Sequence, residues 1–360
     1  MQRSMLVFAA LAVVSACADS SKNAAKDSAA GAATAGRAAT TSGADLTGAG
    51  ATFPYPLYSK WFDAYATKSG VKINYQSIGS GGGIRQLSEQ TVDFGASDAP
   101  MSDAEMAKAK GGPVQHIPTA LGAVVMVYNL PDLGAPLKLT GDVIAAIFQG
   151  QITKWNDARI AALNPGAKLP ATDILVVHRS DGSGTSYVFT DYLASASSAW
   201  AAKPGRGKEV QWPVGLGAKG NEGVAGQVKQ TPGAIGYVEL AYATQNRMSM
   251  ASVKNAAGEF VAPSIASVTA AAAGAAGKLP PTTDYRVSIV NAPGAEVYPI
   301  SSFTWIIAYT KQADAAKGKK LTDFLRWALS DGQGMESSLD YAPLPEGMRT
   351  ALLTRLDSIK

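Results

Sequence analysis

Apolar positions recur along this chain in two alternating rhythms. Phe53, Leu57, Trp61 and Tyr65 fall at every fourth position and predict one buried side of a helix. Val71, Ile73 and Tyr75 alternate with polar residues and predict a strand. Ser80-Gly81-Gly82-Gly83 then leads into a second helix carrying Ile84 and Leu87. The pattern goes on with a strand at Val124–Tyr128, a helix at Asp142–Phe148 and a strand at Ile174–Val177. A helix at Thr185–Leu193 and strands at Ile235–Leu240 and Phe303–Tyr309 follow, and Leu321, Phe324, Leu325 and Ala328 mark a late helix. Residues 256–278, rich in alanine, read as a helix or a surface loop. Strands alternating with helices predict an α/β fold with mostly parallel sheets. No repeat at a fixed period breaks the series.

The first residues follow another pattern. Arg3 precedes an apolar run from Met5 to Val14, too short to span a bilayer, and Val14-Ser15-Ala16-Cys17 closes it. This resembles a bacterial lipobox, so residues 1–17 are expected to be a lipoprotein signal peptide with Cys17 as the acylated residue. Residues 18–45, made mostly of Ala, Ser, Thr and Gly, lack the apolar surface to fold and predict a flexible tether. The folded part is then exported and held at a membrane of the cell envelope. A length of 360 residues suggests about two domains.

Charge and rare residues narrow the chemistry. The chain carries 32 basic and 28 acidic residues, a net of +4, with no dense basic run, so no nucleic-acid partner is expected. Two histidines, His116 and His178, and one cysteine leave no intrachain disulfide and no ordinary zinc site. No metal, cofactor or catalytic residue is expected. Neither Gly-x-Ser-x-Gly nor a Walker loop is present.

What the chain does have is corners. Thr47–Phe53, Gly79–Gly83 and Ser183–Ser186 are each rich in glycine or hydroxyls, and each opens an expected helix. Helix N-termini present free N–H groups and the positive end of a dipole, which suits an anion. Arg179, four residues before Ser183, adds a planar charged fork. Asp98, in Phe94-Gly-Ala-Ser-Asp-Ala-Pro100, is at odds with an anion site. A carboxylate there repels a fully ionised guest but accepts a proton from one that carries it, as phosphate does and sulfate does not near neutral pH. His178 neighbours Arg179 on an extended strand and should point the other way.

Long matching stretches then tie these parts together: Leu46-Thr-Gly-Ala-Gly-Ala-Thr-Phe-Pro54, Asn74-Tyr-Gln-Ser-Ile-Gly-Ser-Gly-Gly82, Val92–Pro100, Arg179–Ser186, Trp212–Gly217 and Pro232–Glu239. From about residue 46 to about residue 345 the chain resembles the phosphate-binding protein of the high-affinity phosphate ABC transporter. The resemblance implies a type II-like periplasmic binding protein: two α/β domains joined by a two-segment hinge around a ligand cleft. Domain I would comprise 46–122 and 301–360, and domain II 123–300, with crossings near Gly122 and near Ile300-Ser301. It also implies phosphate contacts at Thr52, Phe53, Ser80, Asp98, Arg179, Ser183, Gly184 and Thr185, with Asp181 orienting Arg179. Gly81 stands where many members carry a second serine. The implied partners are inorganic phosphate and the permease and ATPase of an importer, with the protein a monomer. A binder of another oxyanion (arsenate, sulfate or molybdate) and a secreted phosphatase-like enzyme are the alternatives, with an envelope adhesin or signalling lipoprotein behind them.

Overall fold

A computed structural model describes residues 45–279 and 283–360. The signal peptide, Cys17 and the tether up to residue 44 lie outside the described residues. The core is one mixed sheet whose main path is built from β1 (Leu46–Gly50), β2 (Ile73–Ser77), β3 (Phe94–Ser97), β4 (Val114–Tyr128), β5 (Leu175–Arg179), β6 (Leu216–Ala218), β7 (Ala234–Glu239) and β8 (Ser301–Tyr309), with a ninth short strand, Ser249–Met250, paired to β4 off this path. The spatial order of the main path is β2-β1-β3-β8-β4-β7-β5-β6. The two flanks are parallel, β2-β1-β3 on one side and β7-β5-β6 on the other. The middle is antiparallel, because β4 and β8 run past each other in opposite directions. The expectation of mostly parallel sheets therefore fails at the centre. A strand covered on both faces reads as an unbroken apolar run whichever way its neighbour points, so the sequence could not give its direction.

β4 ties the two flanks together. From Val114 to Ala123 it pairs with β8, and from Val124 to Tyr128 with β7. The change of partner falls at Ala123/Val124, where the Val124 N–H donates to the Ile300 carbonyl at 2.8 Å. The strand expected at Val124–Tyr128 is thus the last third of a 15-residue strand. It continues through Pro118, which has no N–H to donate, because the pairing with β8 slips there between Thr304 and Trp305. A bulge is where a sheet interior tolerates proline.

The helices cap these strands. α1 (Tyr55–Ser69) ends at Gly70, whose φ of 77° suits a glycine. It buries Leu57, Tyr58, Trp61, Phe62 and Tyr65 against Tyr75, Phe94 and Phe324. Phe53 was expected on this face; it is fully buried, but in the turn two residues before the helix. Fully burying each aromatic stabilises this packing by about 1.5–3 kcal/mol. α2 (Ser80–Ser88), α3 (Asp103–Ala107), α4 (Gly184–Ala196) and α5 (Gly220–Gln230) complete the set that surrounds the site. The alanine-rich stretch holds a helix at Ile265–Gly274, and the late helix spans Ala315–Ala328. No helix among the described residues is long and apolar enough to cross a membrane.

Candidate functional site

Four helix starts, those of α1, α2, α4 and α5, meet at the middle of the sheet. The turn after β1 brings Thr52 and Phe53, and α2 brings Ser80. β5 ends in Arg179, and the N-cap and first turn of α4 bring Ser183, Gly184 and Thr185. Thr52, Phe53, Ser80, Asp98, Arg179, Ser183 and Thr185 are all at most 3% exposed. Phe53 apart, that is a dense group of polar side chains to remove from water, and such groups are kept only when hydrogen-bonded.

The two sides of the site touch. A Cβ on Gly184 would lie 2.4 Å from Ser80 Oγ and 2.6 Å from Asp98 Oδ2, so only glycine allows this approach. Gly79, the N-cap of α2, has φ 89°, and a Cβ there would meet Asp181 Oδ2 at 2.2 Å. The Gly81 N–H donates to the Gly182 carbonyl at 2.8 Å. Gly81 itself packs on Gly182, where a Cβ would stand 3.1 Å from the Gly182 Cα. The structure therefore brings every sequence-selected site residue but the undescribed Cys17 into one cluster.

Arg179 is held as a fork. Its Nε donates to Asp181 Oδ1 at 2.8 Å and its Nη2 to Asp181 Oδ2 at 2.5 Å, a bidentate pair. The remaining nitrogen, Nη1, donates to Thr185 Oγ1 at 3.2 Å. Burial alone would raise the Asp181 carboxyl, but the guanidinium and the Gly220 N–H hold it below its ordinary value. The cation is thus neutralised by its own partner.

Asp98 has only neutral groups in hydrogen-bond contact. Thr304 Oγ1 donates to its Oδ1 at 2.8 Å, its Oδ2 faces Ser80 Oγ at 3.5 Å, and its own N–H donates to that Ser80 hydroxyl at 3.1 Å. Burial pushes its carboxyl up to about 7, against the opposing pull of Thr304, Arg179 and Ser80. Such a group takes or gives a proton near neutral pH.

Two residues that sequence reasoning missed organise the donors. Asn221, on α5, donates from Nδ2 to Thr52 Oγ1 at 2.7 Å and to Thr185 Oγ1 at 3.1 Å. Its backbone N–H also donates to Thr52 Oγ1, and its Oδ1 accepts the Glu239 N–H, which fixes the amide's orientation. Thr52 Oγ1 and Thr185 Oγ1 each accept two N–H groups, so each has only its own hydrogen left to offer. Both hydroxyls are thereby made donors toward a guest. The signal for Asn221 was a fourth strand–glycine–helix corner at Gly217–Asn221. The signal for Thr304 was a lone hydroxyl in the apolar run of β8, which must find a partner when buried.

The first turn of α4 leaves the Gly184 and Thr185 N–H groups without intrahelical acceptors. Ser183 Oγ accepts the Ser186 N–H at 3.0 Å, so its hydrogen is free to donate. With Arg179 and the threonines, this arrangement offers donors from several directions and one acceptor, Asp98. It suits a tetrahedral oxyanion bearing one proton. His178 stands apart, its ring stacked on Trp212 at 4.9 Å and half-buried, which lowers its pKa. Among the described residues no group of three or more His, Cys, Asp or Glu side chains is placed to hold a metal ion.

Comparison with known proteins points the same way. Residues 28–332 match the family model described as a PBP superfamily domain. The "Phosphate-binding protein PstS" of Xylella fastidiosa (strain Temecula1) is 48% identical over 309 residues, covering 86% of this chain and 84% of that one. The protein of the same name from Pasteurella multocida is 46% identical, with 86% and 89% covered. The one from Methanocaldococcus jannaschii is 39% identical, with 86% and 85% covered. Among solved structures, the phosphate-binding protein from Stenotrophomonas maltophilia superposes with a TM-score of 0.69 at 21% identity, covering 86% of this chain and 93% of that one. A periplasmic phosphate-binding protein, PfluDING, bound with phosphate, gives 0.68 at 21% identity with the same coverage.

Proposed function

The chain belongs to the PBP superfamily and, within it, to the phosphate-binding proteins; from that premise we propose that it binds inorganic phosphate with high affinity and delivers it to an ABC importer. The observation that carries the reading is the pairing, in one buried cluster, of converging donors with a single carboxylate acceptor. Thr52, Phe53, Ser80, Arg179, Ser183, Gly184 and Thr185 donate to phosphate oxygens, and Asp98 accepts the proton that phosphate brings. Asp181 orients Arg179.

Residues 46–122 and 301–360 act as one lobe and 123–300 as the other, with β4 and β8 as the hinge. Support comes from the partner change of β4 at Ala123/Val124. Hinge closure around phosphate brings Gly184 against Ser80 and Asp98. The protein works as an exported monomer, tethered through a lipid on Cys17, and hands phosphate to permease subunits. It is a binder and not an enzyme.

Titration calorimetry of the purified protein with phosphate tests the reading, and one tight site per chain is expected. Absence of binding overturns it, and so does robust protein-dependent turnover of a chromogenic phosphate ester.

A further inference from the structure

The part of the site not yet given a role is the floor beneath Asp98. Three buried side chains, Tyr58, Thr119 and Thr304, lead to that carboxylate, the second joined to the third through the Thr304 backbone carbonyl. Thr119 Oγ1 donates to the Thr304 carbonyl at 3.2 Å, so it can only accept from Tyr58 OH, 2.6 Å away. Thr304 Oγ1 in turn donates to Asp98 Oδ1 at 2.8 Å. Tyr58, Thr119 and Thr304 are all fully buried. Their meeting depends on the slip in the β4–β8 pairing, which pairs Thr304 with Ala120 and Trp305 with Pro118, leaving Thr119 unpaired between them. The extra residue frees Thr119 to lock the Thr304 backbone.

We propose that Thr304 is the positioning residue that sets discrimination between protonated and fully ionised oxyanions, by occupying Asp98 Oδ1 as an acceptor and aiming Oδ2 at the guest. The idea rests on the phosphate-binding reading above. It follows from geometry: Oδ2 is the oxygen 3.5 Å from Ser80 Oγ and the one that a Cβ on Gly184 would strike. Oδ1 faces away, into the floor. A hydroxyl donating to Oδ1 favours the ionised carboxylate, the form that can accept a proton from phosphate and that repels sulfate. Without that donor, Asp98 holds a proton more readily. A protonated Asp98 becomes a donor and welcomes an anion with no proton of its own.

The other titratable groups that sense Asp98 are Arg179 on β5, Tyr58 on α1, Tyr75 on β2, Glu239 at the end of β7, Tyr242 and Tyr341. Burial drives the tyrosines upward in pKa, away from neutral pH, and raises Glu239 in the same direction as Asp98.

The test compares the wild-type protein with Thr304→Val and Thr304→Ser. Phosphate affinity and sulfate competition are measured by calorimetry at about pH 6 and about pH 8.5, either side of the Asp98 transition. Thr304→Val is expected to lower the phosphate-to-sulfate affinity ratio about tenfold or more at the lower pH and much less at the higher one. Thr304→Ser keeps the donor and is expected to restore the wild-type ratio. A residue that only filled space would weaken both anions alike at both pH values; an unchanged ratio in Thr304→Val overturns the proposal. If the valine variant does not fold, an altered ratio in Thr119→Val, which loosens Thr304 without touching Asp98, supports it and an unaltered ratio refutes it. Failure of the wild-type protein to bind phosphate would sink the functional reading instead, so the two failures are distinct.

Discussion

Arg179 and Asp98 lie in the same buried cluster and are stabilised in opposite ways. Arg179 has a full ionic partner in Asp181, with two N–H donors on two oxygens. Asp98 has hydroxyl partners only, from Thr304 and Ser80. The first corner is therefore fixed in charge, and the second is free to change. Counted together, Arg179, Asp181 and Asp98 bring no positive charge to the site when all are ionised. Attraction for an anion comes instead from aimed N–H and O–H dipoles, which act strongly where water is excluded. A site built this way selects by where hydrogens are, and net charge contributes little to the choice.

The sharpest way to break the contrast is Arg179→Ala. It strips Asp181 of its partner and leaves two carboxylates, one buried and one partly buried, with no guanidinium between them. Phosphate affinity is expected to fall by about 2–5 kcal/mol, read by equilibrium dialysis; an unchanged Kd would refute the role.

The Asp98 side is tested through pH. Its carboxyl is raised from 3.8 to about 7 in the folded protein, so the native state binds more protons than the unfolded chain. The stability from this group is present below about pH 4 and lost as pH climbs to about 7, at most about 4 kcal/mol in all. Glu239 and Glu336 are also raised by burial and act in the same direction. Comparing the phosphate-free wild-type protein with Asp98→Asn isolates the single group. The wild-type Tm is expected to fall more steeply between about pH 5 and about pH 7.5; parallel curves would contradict the assignment.

Asp98→Asn also replaces an acceptor by an amide able to donate. It should cost phosphate less than it favours sulfate, narrowing their affinity ratio by about ten- to a hundredfold. Competition calorimetry gives that ratio.

The smallest effect is expected at the rim. Lys208 reaches Glu105 at 2.7 Å and Arg286 reaches Asp103 at 2.7 Å, both linking α3 to the 123–300 segment. These pairs are partly exposed, so Lys208→Ala should cost under about 1 kcal/mol of affinity and act mainly on phosphate release. Stopped-flow kinetics in about 0.5 M salt should erase the difference, because exposed pairs are screened there.

What was legible in the sequence followed from local rules. Ser183 caps α4, Gly79 takes a positive φ before α2, and the apolar spacing of Leu57, Trp61 and Tyr65 gives α1; each is set by neighbours within a few residues. The direction of β4 against β8 was not legible, because it depends on pairings about 180 residues apart in the chain. Asn221 and Thr304 were missed for a related reason. Each does its work through partners more than 160 residues away, Thr52 and Asp98. The glycine- and hydroxyl-rich corners were legible because the chemistry of an anion corner, unlike a hydrogen bond across the fold, is written in consecutive residues, whereas Asp98 was selected through the family resemblance.

The central claim is that a carboxylate among these donors admits only a guest carrying a proton. The direct measurement is displacement of bound phosphate by sulfate from the wild-type protein at about pH 8, above the Asp98 transition. Sulfate in roughly thousandfold excess should leave phosphate in place. Displacement at concentrations comparable to phosphate would contradict the account.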